Sequence, residues 1–344
     1  MLNWGSPFWH RSLALTLPRS PPKPPGAAQL LILNFSMTKI AAASVAVVIP
    51  VYRPEIAGLE LFSLQYSLRN LDPGRELFFI CPKSLDVSFY RSLAPRAKFV
   101  TFEDGYFTSI ASYCRLMLDP QFYERFSAFE FMLILQTDAI IVKDELDYWC
   151  AQEYDYIGAP WYPAEPITLR TPDGRNKVIK VSVGNGGLCL RRNKKCIELL
   201  NEFPDANKDM VYTEDLLFSI YGFQSKNFSI PSQFVASRFS FECRPSFFYE
   251  LNANCMPMGS HGWWKHEPEF WLKMLYPDLE PIRDLAMKGF EAFDSWVKEN
   301  EERKYREFMN NLLIKQFGKS LDDLLEIAQR GSDRLIGAQK LRAS

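Results

Sequence analysis

The sequence predicts an α/β fold in which helices pack on a twisted, largely parallel sheet. Three observations predict it. Apolar runs rich in strand-forming residues end in proline at Val45-Ala46-Val47-Val48-Ile49-Pro50 and at Glu76-Leu77-Phe78-Phe79-Ile80-Cys81-Pro82, as buried parallel strands do. Between them, Leu59 to Leu71 carries apolar residues at helical spacing, and strands alternating with helices imply parallel pairing. The run Leu133 to Val142 then sets one acid, Asp138, between two apolar strand segments. Sheets of this class hold ligands and metals at the carboxyl ends of central strands.

The other elements follow in order. A third strand is expected over Ala97 to Phe102, then a helix from about Ser109 to Leu118, the segment Phe122 to Phe126, and the strand that delivers Asp138. Residues 45–142 thus have the logic of a nucleotide-binding half. Asp144 to Cys150 reads as a short helix and Asp155 to Trp161 as a strand running into a loop. Tyr162 to Lys180 is polar and proline-rich, with Pro172-Asp173-Gly174 as a turn, and is expected to be a mobile loop. From Gly184 come a glycine-rich turn, a strand at Leu188 to Leu190, a helix at Lys194 to Phe203, a polar loop, and a helix opening at Thr213-Glu214-Asp215. Phe228 to Trp264 reads as short strands broken by proline and aromatic residues, so 143–275 suits an acceptor half. Residues 276–344 read as a charged helical extension with Ser320 as a helix cap. Residues 1–40, proline-clustered at Pro18 to Pro25, read as a disordered extension, with Met37 as an alternative start.

Composition excludes several classes. A chain of 344 residues with 47% hydrophobic content is long enough for a large core. Forty basic against 41 acidic residues leave a net charge of −1, so no global field draws it to nucleic acid or an anionic membrane. Partners must be chosen by local sites. Seven cysteines without a CxxC spacing argue against zinc and against a disulfide framework. Apolar thiol contexts suit a reducing compartment, so the cytosol is expected, although the sequons at Asn34 and Asn227 point the other way. No apolar stretch reaches the roughly 18 residues of a membrane-spanning helix. With 27 Phe, 15 Tyr and 8 Trp, rings are abundant; they can serve as sugar platforms or as core.

Four segments carry candidate chemistry. Asp138 offers a hard oxygen to a divalent cation bridging a diphosphate, or simply caps its turn. Gly184-Asn185-Gly186-Gly187 lacks both the GxGxxG spacing and the lysine of a phosphate loop. Its glycines permit close approach by a ligand and its amide can bond sugar hydroxyls, unless it is a plain tight turn. Glu214-Asp215 puts two acids at a helix start, where the dipole favours ionisation, so one can act as general base or both can be ordinary first-turn acids. His261, in a glycine-bounded aromatic loop, can complete a metal site begun by Asp138 or be a hydrogen-bonded loop residue. Arg115, on the helix before Asp138, can reach a phosphate, orient that acid, or serve a surface ion pair.

The order of these segments, with the strand ending Ile49-Pro50-Val51-Tyr52 and the helix carrying Tyr113 and Arg115, resembles a glycosyltransferase of the GT-A fold. More closely, Asp104 to Phe107, Tyr113 to Leu118, Phe122 to Phe126, Glu145 to Cys150 and Tyr154 to Trp161 resemble a domain family of uncharacterised function grouped with glycosyltransferases. The resemblance spans about Val45 to Trp264. It implies a Rossmann-like twisted mixed sheet flanked by helices over 41–275, a nucleotide-sugar donor, and Mn²⁺ or Mg²⁺ on the diphosphate. The family's Asp-x-Asp falls on Gln136-Thr137-Asp138, so one acid remains, and Gln136 can only hydrogen-bond, for example to ribose. By resemblance Asp138 and His261 bind metal, Asp215 is the base, Glu214 binds a sugar hydroxyl, Gly186 and Gly187 line donor and acceptor, and Tyr52 lies near the nucleotide base. The implied reaction is hexosyl transfer to a hydroxyl acceptor with inversion. A catalytically silent sugar-binding scaffold and a sugar-1-phosphate nucleotidyltransferase are the rival readings; the latter wants a basic, glycine-rich loop where Tyr52-Arg53-Pro54-Glu55 stands.

Overall fold

The computed structural model describes residues 45–170, 176–204 and 213–317, all within one compact unit, Ile40–Ser344. The extension expected at 1–40, the turn at Pro172 to Gly174 and the cap at Ser320 lie outside the described residues. The strands are β1 (Val45–Pro50), β2 (Glu76–Pro82), β3 (Lys98–Phe102), β4 (Phe131–Leu135), β5 (Ala139–Ile141), β6 (Tyr156–Gly158), β7 (Pro160–Arg170), β8 (Asn176–Val183), β9 (Leu188–Arg192), β10 (Ser240–Phe241) and β11 (Gly259–His261). The α-helices are α1 (Gly58–Asn70), α2 (Ser88–Leu93), α3 (Ile110–Met117), α4 (Pro120–Glu124), α5 (Leu146–Cys150), α6 (Asn193–Glu202), α7 (Glu214–Gln224), α8 (Gln233–Phe239), α9 (Pro245–Leu251), α10 (Pro268–Met274) and α11 (Arg283–Phe317). Among the described residues no helix is long and apolar enough to cross a membrane.

Six strands form one sheet in the order β3-β2-β1-β4-β9-β6. The first four run parallel, as the alternation of strands with helices predicts. Every residue of β1 is buried, because the strand lies mid-sheet with helices on both faces. Its side chains alternate between two cores: Val45, Val47 and Ile49 join one cluster with Leu64 of α1, while Ala46 and Val48 join another with Leu116, Phe122 and Phe218. Both faces are thus covered, and the carboxyl ends of β1 and β4 are left to form a site.

The sheet as a whole is mixed, as the resemblance implies, and less parallel than the apolar runs alone suggest. β9 runs antiparallel to β4, with Leu135 opposite Leu188, and β6 antiparallel to β9. Strands from beyond residue 143 therefore complete the sheet begun before it. Two expectations need correction. The described residues of Tyr162 to Lys180 form no irregular loop: β7 and β8 pair antiparallel, Ile167 opposite Ile179. Prolines are tolerated in such a two-stranded ribbon because each strand keeps an unpaired edge. The segment 228–264 holds two helices, α8 and α9, with only two short strands, β10 and β11, between and after them. Pro245 occupies the first turn of α9 and Ser232 caps α8, so residues that resemble strand breakers are helix starters here.

A third cluster, built on Trp263, Trp264 and Trp271 with Ile140 and Leu59, backs β5 and β11. The Trp263 indole donates to Ser63 Oγ of α1 at 2.9 Å. The exit from β5 is fixed separately. The Arg75 guanidinium, 4% exposed, grips both oxygens of Asp144 at 2.8 and 2.9 Å and Asp147 at 2.8 Å. Burial opposes ionisation of Asp144, but the Arg75 bonds win and hold the carboxyl below its ordinary value. Stability from this pair is therefore present above the ordinary carboxylate range and fades as pH falls through the lowered value. Arg75→Ala should cost about 3–5 kcal/mol, since it strands a withdrawn carboxylate; an unchanged urea midpoint would refute that role.

Candidate active site

At the carboxyl end of β4 the chain turns through Gln136-Thr137-Asp138, closed by Ala139 N–H donating to Gln136 O at 3.0 Å. β5 then pairs antiparallel with β11, setting His261 opposite Ala139, and Gly262 N–H donates to Asp138 O at 2.9 Å. Register alone thus places the imidazole beside the carboxylate. His261 Nε2 stands 3.3 Å from Asp138 Oδ1, and the Lys265 ammonium is 2.6 Å from Oδ2. Gly262, at φ +55°, allows the tight turn that brings Lys265 back onto Asp138. Burial would raise the Asp138 pKa, but His261 and Lys265 outweigh it and hold the carboxyl far below the usual range. Burial likewise opposes charging His261, yet Asp138 and Glu242 push its pKa up to about 10.

The glycine turn packs against this group. A Cβ on Gly187 would lie 2.1 Å from His261 Cδ2, and one on Gly186 would lie 2.5 Å from Glu214 Oε1. These glycines make room for the protein's own charged side chains. Gly187 O also accepts from Gln136 N–H at 2.9 Å, joining the turn to the end of β4. Asn185 is 6% exposed. Its amide donates to Glu242 Oε1 at 2.8 Å and accepts from Gly187 N–H at 2.9 Å. Although it lines the cleft, its expected sugar-binding atoms already have protein partners.

Glu214 and Asp215 open α7. Glu214 points inward: Arg191, fully buried, donates to Oε1 at 3.1 Å, and the Cys114 thiol donates to Oε2 at 3.3 Å. Arg191 also donates to Tyr123 Oη at 2.8 Å and lies over the Tyr156 and Phe218 rings at 5.2 and 5.0 Å. Asp215 faces the cleft, accepting from Gly186 N–H at 3.2 Å, from Leu216 N–H at 2.8 Å and from the Thr213 hydroxyl. Burial first, and the neighbouring Glu214 charge second, raise its pKa to about 6.

Asp138, His261, Asn185, Glu214 and Asp215 border one cleft of about 490 Å³, whereas Lys265, Glu242 and Arg191 lie outside its lining. Tyr52, 57% exposed, stands at its rim beside Arg53, and Gln136, Gly186 and Gly187 line it. Tyr113 of α3 lines it too, while Arg115, two residues on, is exposed and outside the lining. The helical step of about 100° turns Arg115 away. Sequence reasoning missed Lys265, Glu242, Arg191 and Cys114. Lys265 follows His261 by four residues, which was a usable signal; Glu242, just after a two-residue strand, left none.

Asp138 Oδ1 and His261 Nε2 converge, with Glu242 Oε1 on Nδ1 at 2.9 Å as the support that ligating histidines need. Among the described residues no group of three or more His, Cys, Asp or Glu is arranged to hold a metal.

The fold and site therefore define an α/β protein with an acid–histidine pair and a second acid in one cleft, the first acid also paired with a lysine outside the lining. Residues 96–261 match a domain family described as "Protein of unknown function (DUF5672)", a span that ends on His261. No curated protein matches the chain. Among solved structures it is similar to galactosyltransferase LgtC in complex with donor and acceptor sugar analogs, at 16% identity and TM-score 0.41, over 70% of this chain and 95% of that one. It is also similar to mouse xyloside xylosyltransferase 1, at 10% identity and TM-score 0.40, over 63% and 97%. A third is the 4-diphosphocytidyl-2C-methyl-D-erythritol synthase of Anaerococcus prevotii DSM 20548, at 12% identity and TM-score 0.34, over 55% and 87%.

The glycine contacts give a paired test. Gly187→Ala must displace the imidazole and should cost about 1–3 kcal/mol, whereas Gly105→Ala meets nothing within 4 Å and should stay within about 0.5 kcal/mol. Equal urea midpoints for the two variants would contradict the packing of Gly187 on His261.

Proposed function

We propose that this chain is a glycosyltransferase that moves a hexosyl unit from a nucleotide diphosphate sugar to a hydroxyl acceptor with inversion. One observation carries the reading. Asp215, with its pKa raised to about 6, shares a cleft with Asp138 and His261, and Lys265 pairs with Asp138 from outside the lining. A base tuned close to neutral pH suits removal of a hydroxyl proton, and positive charge held at Asp138 and His261 would suit a leaving diphosphate.

Asp215 takes the acceptor proton as the hydroxyl oxygen bonds to the anomeric carbon. The carbon–oxygen bond to the diphosphate breaks, and its electron pair leaves on phosphate. Attack opposite the leaving group inverts the anomeric centre, which needs one base and no protein nucleophile. Thr213 and the backbone N–H groups of Gly186 and Leu216 hold the Asp215 carboxylate in place. Glu214, clamped by Arg191 and Cys114, acts through its charge on Asp215 rather than by touching sugar. Tyr52 at the rim offers a face for the nucleotide base, and Gln136 can bond ribose. Asp138 and His261 would hold Mn²⁺ or Mg²⁺, which when bound supplies Lewis-acid neutralisation of the diphosphate.

Calorimetry with UDP- and GDP-hexoses, with and without Mn²⁺, should show donor binding; no heat under any condition removes the reading. Asp215→Asn should lower kcat about 10²–10⁴-fold, and transfer by the parent should fall as pH drops below about 6.

The same shift has a stability consequence of opposite sign. The native state holds this proton more tightly than the unfolded chain does, so the contribution is fully favourable below the ordinary carboxylate value and is lost as pH rises through about 6. Above that pH, Asp215→Asn should therefore melt higher, by about 1–3 kcal/mol of stability. A variant that melts lower at pH 8 would contradict it.

A further inference from the structure

Glu242 lies outside the lining of the cleft, and no step above uses it. It follows β10, which pairs parallel with β11 so that Phe241 is opposite Ser260. That register sets Glu242 beside His261. One oxygen, Oε1, meets His261 Nδ1 at 2.9 Å and Asn185 Nδ2 at 2.8 Å. A carboxylate only accepts, so both nitrogens donate, and the proton on the imidazole bond belongs to Nδ1. The side chain is 12% exposed. The two groups it joins arrive from distant parts of the chain. Asn185 belongs to the glycine turn that also holds Asp215 through Gly186, and His261 belongs to the strand that meets Asp138.

We propose that Glu242 is a positioning residue that locks the two ends of the cleft into one geometry. It fixes the His261 ring with Nε2 aimed at Asp138, and through Asn185 it fixes the turn that places Gly186 against Asp215. An unbroken chain of contacts then runs from Lys265 through Asp138, His261, Glu242 and Asn185 to Gly187 N–H. Removing the middle member frees the ring and the turn together, although neither substrate touches it. The catalytic consequence rests on the glycosyltransferase reading; the ring geometry does not.

The chain has three histidines, so imidazole ¹⁵N resonances can be assigned by comparison with His261→Gln. In the full-length parent, His261 should show a protonated Nδ1 in slow exchange with water. In Glu242→Gln, that resonance should shift and its exchange should accelerate at least about 10-fold, while Glu242→Asp recovers part of the protection. With Mn²⁺ as the probe, electron paramagnetic resonance should show affinity falling about 10–100-fold in Glu242→Gln. Under the transfer reading, kcat should fall more than the donor KM rises, because the lost element is alignment and not contact.

A neutral parent His261 carrying its proton on Nε2 alone overturns the proposal, and that measurement needs no variant to fold. So does a folded Glu242→Gln whose His261 resonances and exchange match the parent. A parent that turns over no nucleotide sugar but shows the protected Nδ1 proton removes the enzymatic reading and leaves the role of Glu242 standing.

Discussion

Asp138 carries a charge on a side chain left only 17% exposed, and a carboxylate so withdrawn from water must find compensating partners or lose its charge. The arrangement around it answers that constraint. β5 pairs with β11 so that His261 stands opposite Ala139, and the Gly262 turn returns Lys265 to the second oxygen. The tryptophan cluster of Trp263, Trp264 and Trp271 packs behind those strands and holds the register. Shifting β11 by one residue would turn His261 to the other face. The charge pairing and the hydrophobic packing therefore enforce the same alignment.

A second buried charge organises the other end of the cleft. Arg191 is fully enclosed, with hydrogen bonds to Glu214 and Tyr123 and aromatic rings on its flank. By drawing Glu214 inward it leaves Asp215 facing the cleft beside a fixed negative charge. Two adjacent acids at one helix start thus take different roles: one supports the core, and the other binds its proton more tightly than an ordinary carboxyl. Divergent environments for paired acids are how one site obtains a base that works near neutral pH. The glycines between the two ends exist because His261 and Glu214 occupy the space that a Cβ would need.

Much of the parallel sheet was legible because its strands are local apolar runs, two of them stopped by proline, and β1 and β2 match those runs at both ends. The segment around Asp138 was legible for the same reason, as an acid interrupting apolar residues. The β7–β8 ribbon was not, because its prolines and polar residues carry a loop signature and the pairing that overrides it is non-local. Pro245 misled in a similar way, since proline breaks a strand and starts a helix with equal ease.

The sequence by itself determined the α/β class, the central strands, and the residue types that could do chemistry: Asp138, the Gly184–Gly187 turn, Glu214-Asp215 and His261. Only the tertiary structure decided what those residues do to one another. It put His261 on Asp138, turned Glu214 into the core, left Asp215 in the cleft, sent Arg115 outward, and brought Lys265 and Glu242 into the group. The reason is physical. Local pattern reports how a segment will bury its apolar face, whereas the charge state and orientation of an acid depend on partners that strand register brings from distant positions in the chain.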